Sequence, residues 1–318
     1  MDRFLLSVVI INYKTPDLVI DCVTSLIPEL NNINATVVIV DNCSNDGSVD
    51  KLNAWLDDIK APNEITLIAS NSNSGFSGGN NLGIKSTNAD YYLLLNSDTL
   101  VRKGSIDLLI STAVTNPSAG LISPRLEWPD GTPQQSCFNF HTPLSEFLFS
   151  ARTSFLTNLF PKHEIALPLC STSTHPEWTS FACVLVRKEV ISDIGLMDDG
   201  YFMYYEDSDY CYHARKAGWD ILNNPTARVV HLRGGSSSVK KNTAQNKRLP
   251  RYYYASRTRY FYKLYGRYGL IAANFLWWIG RSISKFRELF GKTNNHICDR
   301  QWLDIWTNFV TPLNPFKK

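Results

Sequence analysis

The sequence predicts an α/β fold with a parallel sheet, and three observations carry that prediction. Over the first hundred residues, short β-rich apolar runs alternate with longer stretches of helical periodicity. The apolar runs have no polar alternate positions, as expected of strands covered by helices on both faces. Each run then stops abruptly at a polar residue, and ligands in such sheets bind beyond the carboxyl ends of the strands.

The elements follow in order. LLSVVIIN (5–12) reads as a buried strand, and PDLVIDCVTSL (16–26) as a helix with Pro16 at its start. TVVIVDN (36–42) is a second strand and GSVDKLNAWL (47–56) a second helix. EITLIAS (64–70) is a third strand; a Gly/Asn loop follows, and NNLGIKST begins a helix. YYLLLNSD (91–98) is a fourth strand. The strand ends carry Asn12, Asp41, Asn71 and Asp98, so polar groups gather along one rim. From 124 to 177 strand signals thin out around a Trp128-Pro129-Asp130-Gly131 turn. PLSEFLFSARTSFLTNLF (143–160) has helical apolar spacing and suits a mobile acceptor-side element. Order returns at FACVLVRKEV (181–190), YFMYYEDSDYCYHARKAGW (201–219) and ARVVHLRGGSSS (227–238).

Composition excludes several classes. With 318 residues, 44% hydrophobic and 19% charged, the chain is neither disordered nor collagenous. No apolar run approaches the ~18 residues of a spanning helix. The N-terminal apolar run is preceded by Asp2, followed by Asn12, Tyr13 and Lys14, and has no small-residue cleavage site, so it reads as a strand and not a signal peptide. Seven cysteines form no CxxC pair, which fits reduced thiols in a cytosolic protein without a structural zinc. The net charge of +3 hides a division: residues 1–239 carry 16 Lys+Arg against 26 Asp+Glu, whereas 240–292 carry 13 against one. An acidic body with a basic, aromatic tail suggests two jobs.

The residues that bear chemistry are each ambiguous alone. NSGFSGGNNLGIKS (73–86) has neither GxGxxG nor Walker A spacing. Such a loop before a helix offers N–H groups to an anion, and a tight turn requiring positive φ explains the glycines equally well. Asp98, just past an apolar strand, suits a hard divalent cation, as it suits a turn or helix cap. Asp41 is placed to accept from a nucleobase at a second strand end, with the same ambiguity. EDSD (206–209) opens a helix, where carboxylates complement the macrodipole; functionally, Asp207 is a general base, with Glu206 and Asp209 organising its surroundings. Four aromatics between Tyr201 and Tyr205 make either a sugar-binding wall or core. His231 is structural by default, but with Asp98 it forms an imidazole–carboxylate pair able to hold Mn²⁺ or Mg²⁺.

Taken together and in this order, VVIINYKTPD, VDNCSNDGS, NSGFSGGNNLGI, LLLNSDT, WTSFACVLVRKEV, GYFMYYEDSDYCYHARKAGW and VVHLRGGSS resemble the inverting family 2 glycosyltransferases, most closely rhamnosyltransferase-like members of bacterial cell-surface polysaccharide synthesis. The resemblance covers roughly residues 5–238. It implies the GT-A (nucleotide-diphospho-sugar transferase) fold, a Rossmann-like mixed sheet flanked by helices. It also implies Asn12 and Asp41 as nucleoside contacts, Asn80 near the nucleotide or donor sugar, and Asp98 at the metal-binding end of a DxD-like motif. His231 matches a late metal ligand and Asp207 the catalytic base, while Trp178, Glu206 and Asp209 are candidates for acceptor contact or helix support. Two departures stand out: Asn96 replaces the first acidic position of that motif, and His213 stands where many relatives have Arg.

The expected activity is inverting transfer of a sugar, with rhamnose suggested by the likeness, from a nucleotide-diphosphate sugar to a glycan or lipid-linked acceptor, with Mg²⁺ or Mn²⁺ as cofactor. Two rivals remain. A sugar nucleotidyltransferase should show a basic Gly-rich loop near the N-terminus, which VVIINYKTPD lacks. A catalytically inactive glycan-binding or scaffold relative need not retain both Asp98 and Asp207. The expected organisation is a catalytic domain over 1–239 and a helical basic, aromatic extension over 240–318. The apolar run Leu270 to Gly280 contains Asn274 and is too short to span a bilayer of about 30 Å. Its Tyr, Trp and flanking cations favour an interfacial helix on inner-membrane lipids over nucleic-acid binding. The simpler alternative packs this region back as core, with Trp277 and Trp278 inside. A cytoplasmic enzyme, peripheral on the inner face of the cell membrane, is therefore expected.

Overall fold

The computed structural model describes residues 3–59, 63–233, 238–292 and 296–316. Its strands are β1 (Arg3–Asn12), β2 (Ala35–Asp41), β3 (Glu64–Ala69), β4 (Asn88–Asn96), β5 (Thr99–Val101), β6 (Ala119–Glu127), β7 (Cys137–Phe138), β8 (Trp178–Thr179), β9 (Cys183–Arg187) and β10 (Asp220–His231). Its helices are α1 (Pro16–Leu26), α2 (Ser48–Asp58), α3 (Gly75–Lys85), α4 (Ser105–Thr115), α5 (Pro143–Ala151), α6 (Ser154–Leu159), α7 (Lys188–Ile194), α8 (Glu206–Lys216), α9 (Val239–Ala244), α10 (Arg251–Leu289) and α11 (Gln301–Asp304). The chain forms two compact units: 1–137 with 168–199 and 207–236, and 138–167 with 200–206 and 237–318.

The first unit is built on an eight-stranded sheet ordered β3-β2-β1-β4-β9-β6-β10-β5. β3, β2, β1 and β4 run parallel, as the alternation of apolar runs and helices predicts. Beyond β4 the sheet is mixed, as the GT-A resemblance implies. β9 lies antiparallel between β4 and β6, and β5 pairs antiparallel with β10. β9 is not preceded by a crossover helix but enters the sheet from the rim at Ala182, where the Asn96 N–H donates to the Ala182 carbonyl, so it must run the other way. The core is the apolar sheet face itself: Leu6, Val8, Ile10, Val37, Ile39 and Leu93 are all fully buried. β2 is buried at every residue, which is why its sequence shows no alternation.

A correction concerns the Gly-rich segment. It is not a loop up to Asn80; α3 already starts at Gly75, whose φ of 74° makes the sharp entry. Gly78, Gly79 and Gly83 lie inside the helix. A Cβ on Gly83 would sit 2.4 Å from Cγ1 of Val9, and one on Gly79 would sit 3.0 Å from Cδ1 of Ile11. These glycines let α3 lie close on β1.

The second unit holds α5, α6, α9, α10 and α11. α10 is two helices merged at Gly266, whose φ of 68° and ψ of −171° break the spiral. Segment 143–160 forms α5 and α6, and α5 is anchored in this unit. Thr142 and Ser145 close a capping box at its start, and Glu146 is ion-paired to the buried Arg257 at 2.9 Å. Arg257 also donates to Asn274 at 2.7 Å, which explains the polar residue in the apolar run. α5 and α10 approach so closely that a Cβ on Gly280 would meet the Phe147 carbonyl oxygen at 2.4 Å. Tyr201 and Tyr205 pack with Tyr260 and Phe261, so the aromatic cluster at 201–205 contributes core here. Trp277 is buried, but Trp278 is 39% exposed, so the pair is split between core and surface.

Candidate active site

Strand register assembles the rim of the first unit. Asn12 is paired with Asp41 across β1 and β2, and Ile11 with Asn96 across β1 and β4. Because β9 is antiparallel, its beginning lies on this edge, with Cys183 opposite Leu95 of β4. β10 runs parallel to β6, and His231 is paired with Thr99 of the short β5. Asp98, immediately before Thr99, is thereby delivered to His231.

Asn12 and Asp41 are buried and joined to each other. The Asn12 amide donates to Oδ1 of Asp41 at 2.6 Å and accepts the Thr15 N–H at 3.1 Å. Ser44 donates twice to Asp41, through its hydroxyl at 2.6 Å and its N–H at 3.0 Å. The two side chains brace the strand ends and fix the turns that follow. Asn80 is buried in α3 and donates to the Phe76 carbonyl at 3.0 Å, apart from the Asn12–Asp41 network. Its neighbour Asn81 has the more connected position, giving 2.7 Å to the Met197 carbonyl and taking the Met197 N–H at 3.1 Å.

Asp98 and His231 form the second cluster, with Nε2 of His231 3.5 Å from Oδ1 of Asp98 and both side chains nearly buried. The β10 end is held by Gln134, whose amide donates to the His231 carbonyl at 2.7 Å and to the Glu127 carbonyl at 3.1 Å. The Leu232 N–H donates to the Asp98 carbonyl at 2.8 Å. Arg233, with φ of 54°, turns back to bond Gln134 and lies over the Trp128 ring at 5.5 Å. Gly234, Gly235 and the two serines after them lie outside the described residues. Among the described residues, no group of three His, Cys, Asp or Glu side chains gathers for a metal. The pair nonetheless suits a divalent cation of the Mg²⁺ or Mn²⁺ kind, which takes one or two protein ligands and completes its shell with phosphate oxygens. Nδ1 of His231 is buried without a hydrogen-bond partner, leaving imidazole donor capacity to spare.

Asp207 occupies the first turn of α8. Its Oδ1 accepts the Ser208 N–H at 2.8 Å, and the Phe181 N–H just before β9 also reaches the carboxylate. Burial opposes these bonds and wins, pushing the carboxyl up to about 7. The two residues before the helix, Tyr204 and Tyr205, hold φ of 72° and 69°, a conformation aromatic side chains rarely adopt. Asp209 is buried and faces His213 one turn on at 3.7 Å. Glu206 and Trp178 are both nearly buried.

Sequence reasoning missed three features. Ser44 is signalled by its place three residues after Asp41, as in an Asx-type turn. Gln134 carries no sequence signal, nor does the cluster around Glu127, which collects Arg102, Arg125 and Arg228 at 2.8–3.0 Å from three different strand regions. Burial alone would raise the Glu127 carboxyl; hydrogen bonds from Arg228, Arg125 and Arg102 outweigh it and hold it at about 2.

The sheet and rim define the class first. The structure resembles a crystal structure of GalNAc-T7 with UDP, GalNAc and Mn²⁺, with a TM-score of 0.59 and 14% identity over 96% of this chain and 58% of that one. The fold is GT-A. The family model for glycosyl transferase family 2 matches residues 7–166, and the chain belongs to that family. Among curated relatives, it is 27% identical over 230 residues to the low-salt glycan biosynthesis hexosyltransferase Agl10 of Haloferax volcanii, covering 71% of this chain and 66% of the relative. It is 29% identical over 153 residues to the N-acetylglucosaminyl-diphospho-decaprenol L-rhamnosyltransferase of Mycobacterium tuberculosis, covering 46% of this chain and 48% of the relative. The chain is thus rhamnosyltransferase-like, and it spans between about half and two thirds of these relatives' lengths.

Proposed function

We propose that the chain transfers a sugar, rhamnose in the first instance, from a nucleotide-diphosphate donor to a hydroxyl of a glycan or lipid-linked acceptor, with inversion at the anomeric carbon. The observation that carries this reading is Asp207: a half-buried carboxyl at the start of α8, bonded by the Phe181 N–H at the β9 end of the rim and raised by burial to about 7. That is the range in which a general base both stands deprotonated and draws a proton effectively. The acceptor hydroxyl gives its proton to Asp207 as its oxygen forms the bond to the anomeric carbon. The bond from that carbon to the diphosphate oxygen breaks on the opposite face, and the nucleoside diphosphate leaves. No enzyme nucleophile is needed, so a single displacement inverts the centre.

Asp98 and His231 would hold a divalent cation, which when bound supplies positive charge for the departing diphosphate. The Asn12–Asp41–Ser44 network shapes the nucleoside end of the rim, and Asn80 of α3 would approach the nucleotide or donor sugar. Trp178, Glu206 and Asp209 steady the acceptor side around Asp207. The reading keeps residues 1–239 as the catalytic domain and assigns 240–318 to attachment at a membrane surface where a lipid-linked acceptor resides. Among the described residues, no helix is long and apolar enough to cross a membrane.

The test is a panel of nucleotide-diphosphate sugars monitored for nucleotide release, with and without chelator and with a lipid-linked acceptor. Acceptor-dependent release from one donor, lost in chelator, supports the reading. Absence of release from every donor, with acceptor and Mn²⁺ present, overturns it.

A further inference from the structure

The second half of α10, after Gly266, has two apolar faces. Leu270, Ala273, Trp277, Gly280 and Ser284 are buried within the second unit. On the other side Tyr268, Phe275, Trp278, Ile279, Phe286 and Leu289 are all exposed, from 39% for Trp278 to 86% for Tyr268. At 3.6 residues per turn, these six fall within an arc of about 100°, opposite the buried arc, along ~32 Å of helix. Ser282 lies in the same arc, and its hydroxyl is bonded to the Trp278 carbonyl at 3.0 Å, so it adds little polarity. The stripe widens into α11, where Trp302 and Leu303 are half exposed and the Trp302 carbonyl takes the Trp278 indole N–H at 3.2 Å. A continuous exposed apolar face of this length marks an interaction site.

We propose that this face is seated in the headgroup and upper acyl region of an anionic lipid leaflet, with α10 lying in the membrane plane. This deepens the attachment named above by assigning it to particular residues. Three observations select lipid as the occupant. The opposite face of α10 is buried in protein, so the helix can lie on a membrane but not cross it. Four of the six stripe residues are aromatic, and Tyr268 and Trp278 among them are of the side-chain types that favour the water–hydrocarbon boundary. The surrounding segment 240–292 carries 13 Lys+Arg against a single acid, Glu288, which Arg281 holds at 2.5 Å; Arg257 and Arg248 are paired with Glu146 and Asp304, and a cation excess persists after these pairs are set aside. Exposed Lys285 and Lys292 lie along and just beyond the helix. Such an excess of cations attracts anionic headgroups and repels a second copy of the same surface.

The experiment is flotation of the full chain with phosphatidylcholine vesicles, with and without phosphatidylglycerol, at low and high salt. It is repeated for the double variant Ile279→Asp/Phe286→Asp. Both positions are more than half exposed, so an unchanged thermal melt certifies the fold. The parent is expected to float with the anionic vesicles, to be released by salt, and to show tryptophan quenching by acyl-chain-brominated lipid. The variant should bind more than about tenfold more weakly. Nucleotide release with a water-soluble acceptor should be the same for both, which separates failure of docking from failure of the transferase reading. A parent that stays unbound at low salt overturns the proposal. So does a variant that floats as well as the parent, or a parent dimer that the variant abolishes.

Discussion

Nε2 of His231 lies 3.5 Å from Oδ1 of Asp98, although one ends the last strand of the sheet and the other sits in a turn before its shortest. The antiparallel pairing of β10 with β5, which sets His231 opposite Thr99, creates the contact. Asp98→Ala and His231→Ala should therefore each raise the Mn²⁺ or Mg²⁺ concentration required for half-maximal rate, with smaller effects on melting temperature. Titrating the metal against initial rate for each variant checks this; unchanged requirements would return His231 to a structural role.

Asp207→Asn should lower turnover by about 10²–10⁴-fold, the usual contribution of a general base. It should also stabilise the protein. The carboxyl is raised from 3.8 to about 7 by burial, so the folded state binds the proton more tightly than the unfolded one. The resulting destabilisation is absent below about 4, grows as pH rises towards 7 and is complete above it. Urea unfolding at pH 8 should find the Asn variant more stable than the parent, with the difference closing towards pH 4. A variant that loses activity and stability together would point to misfolding and away from this role.

The same carboxyl should set the pH profile. Nucleotide release should climb with pH through about 7 as Asp207 loses its proton, then level off. A rate independent of pH from 5 to 8 would place proton removal elsewhere, with Glu206 or Asp209 the next residues to vary.

Glu127 works in the opposite sense. Its carboxyl is held at about 2, so its contribution is present above its ordinary 4.5 and is lost as pH falls through about 2. Glu127→Gln removes the charge from beneath three arginines and should cost about 2–4 kcal/mol at neutral pH. Chemical denaturation of the variant checks the value; a loss under about 0.5 kcal/mol would mean the arginines are satisfied by solvent.

Gly83→Val tests why the Gly-rich segment is rich in glycine. Its Cβ would meet Val9 at 2.4 Å, so α3 must lift from β1, at a cost of about 1–3 kcal/mol. An unchanged melting temperature would restore the looser, loop-like view of this segment.

The parallel half of the fold was legible because β1, β2, β3 and β4 are apolar runs closed by polar residues. The direction of β9 was not, because CVLVR reads the same whichever way it enters a sheet. The helical nature of residues 75–79 was hidden for a different reason. Glycines chosen for close packing on Val9 and Ile11 look, in sequence, like glycines chosen for a turn. Asp98 and His231 stood out in the sequence by their places at the ends of apolar runs, and Asp207 by its place in a carboxylate cluster after an aromatic run. Their surroundings were not, since Gln134, Asn81 and the arginines about Glu127 depend on contacts far apart in the chain. In the tail, aromatic and basic composition was plain, but only the helix phase shows that Trp277 is core and Trp278 is surface.

The most direct test is the anomeric configuration of the product. With the donor that the panel identifies, Mn²⁺ and a lipid-linked acceptor, proton NMR should show a glycosidic bond inverted relative to the donor, formed by the parent and reduced at least about 100-fold in Asp207→Asn. A product with retained configuration, or equal product from the Asn variant, would contradict displacement by an acceptor that Asp207 deprotonates.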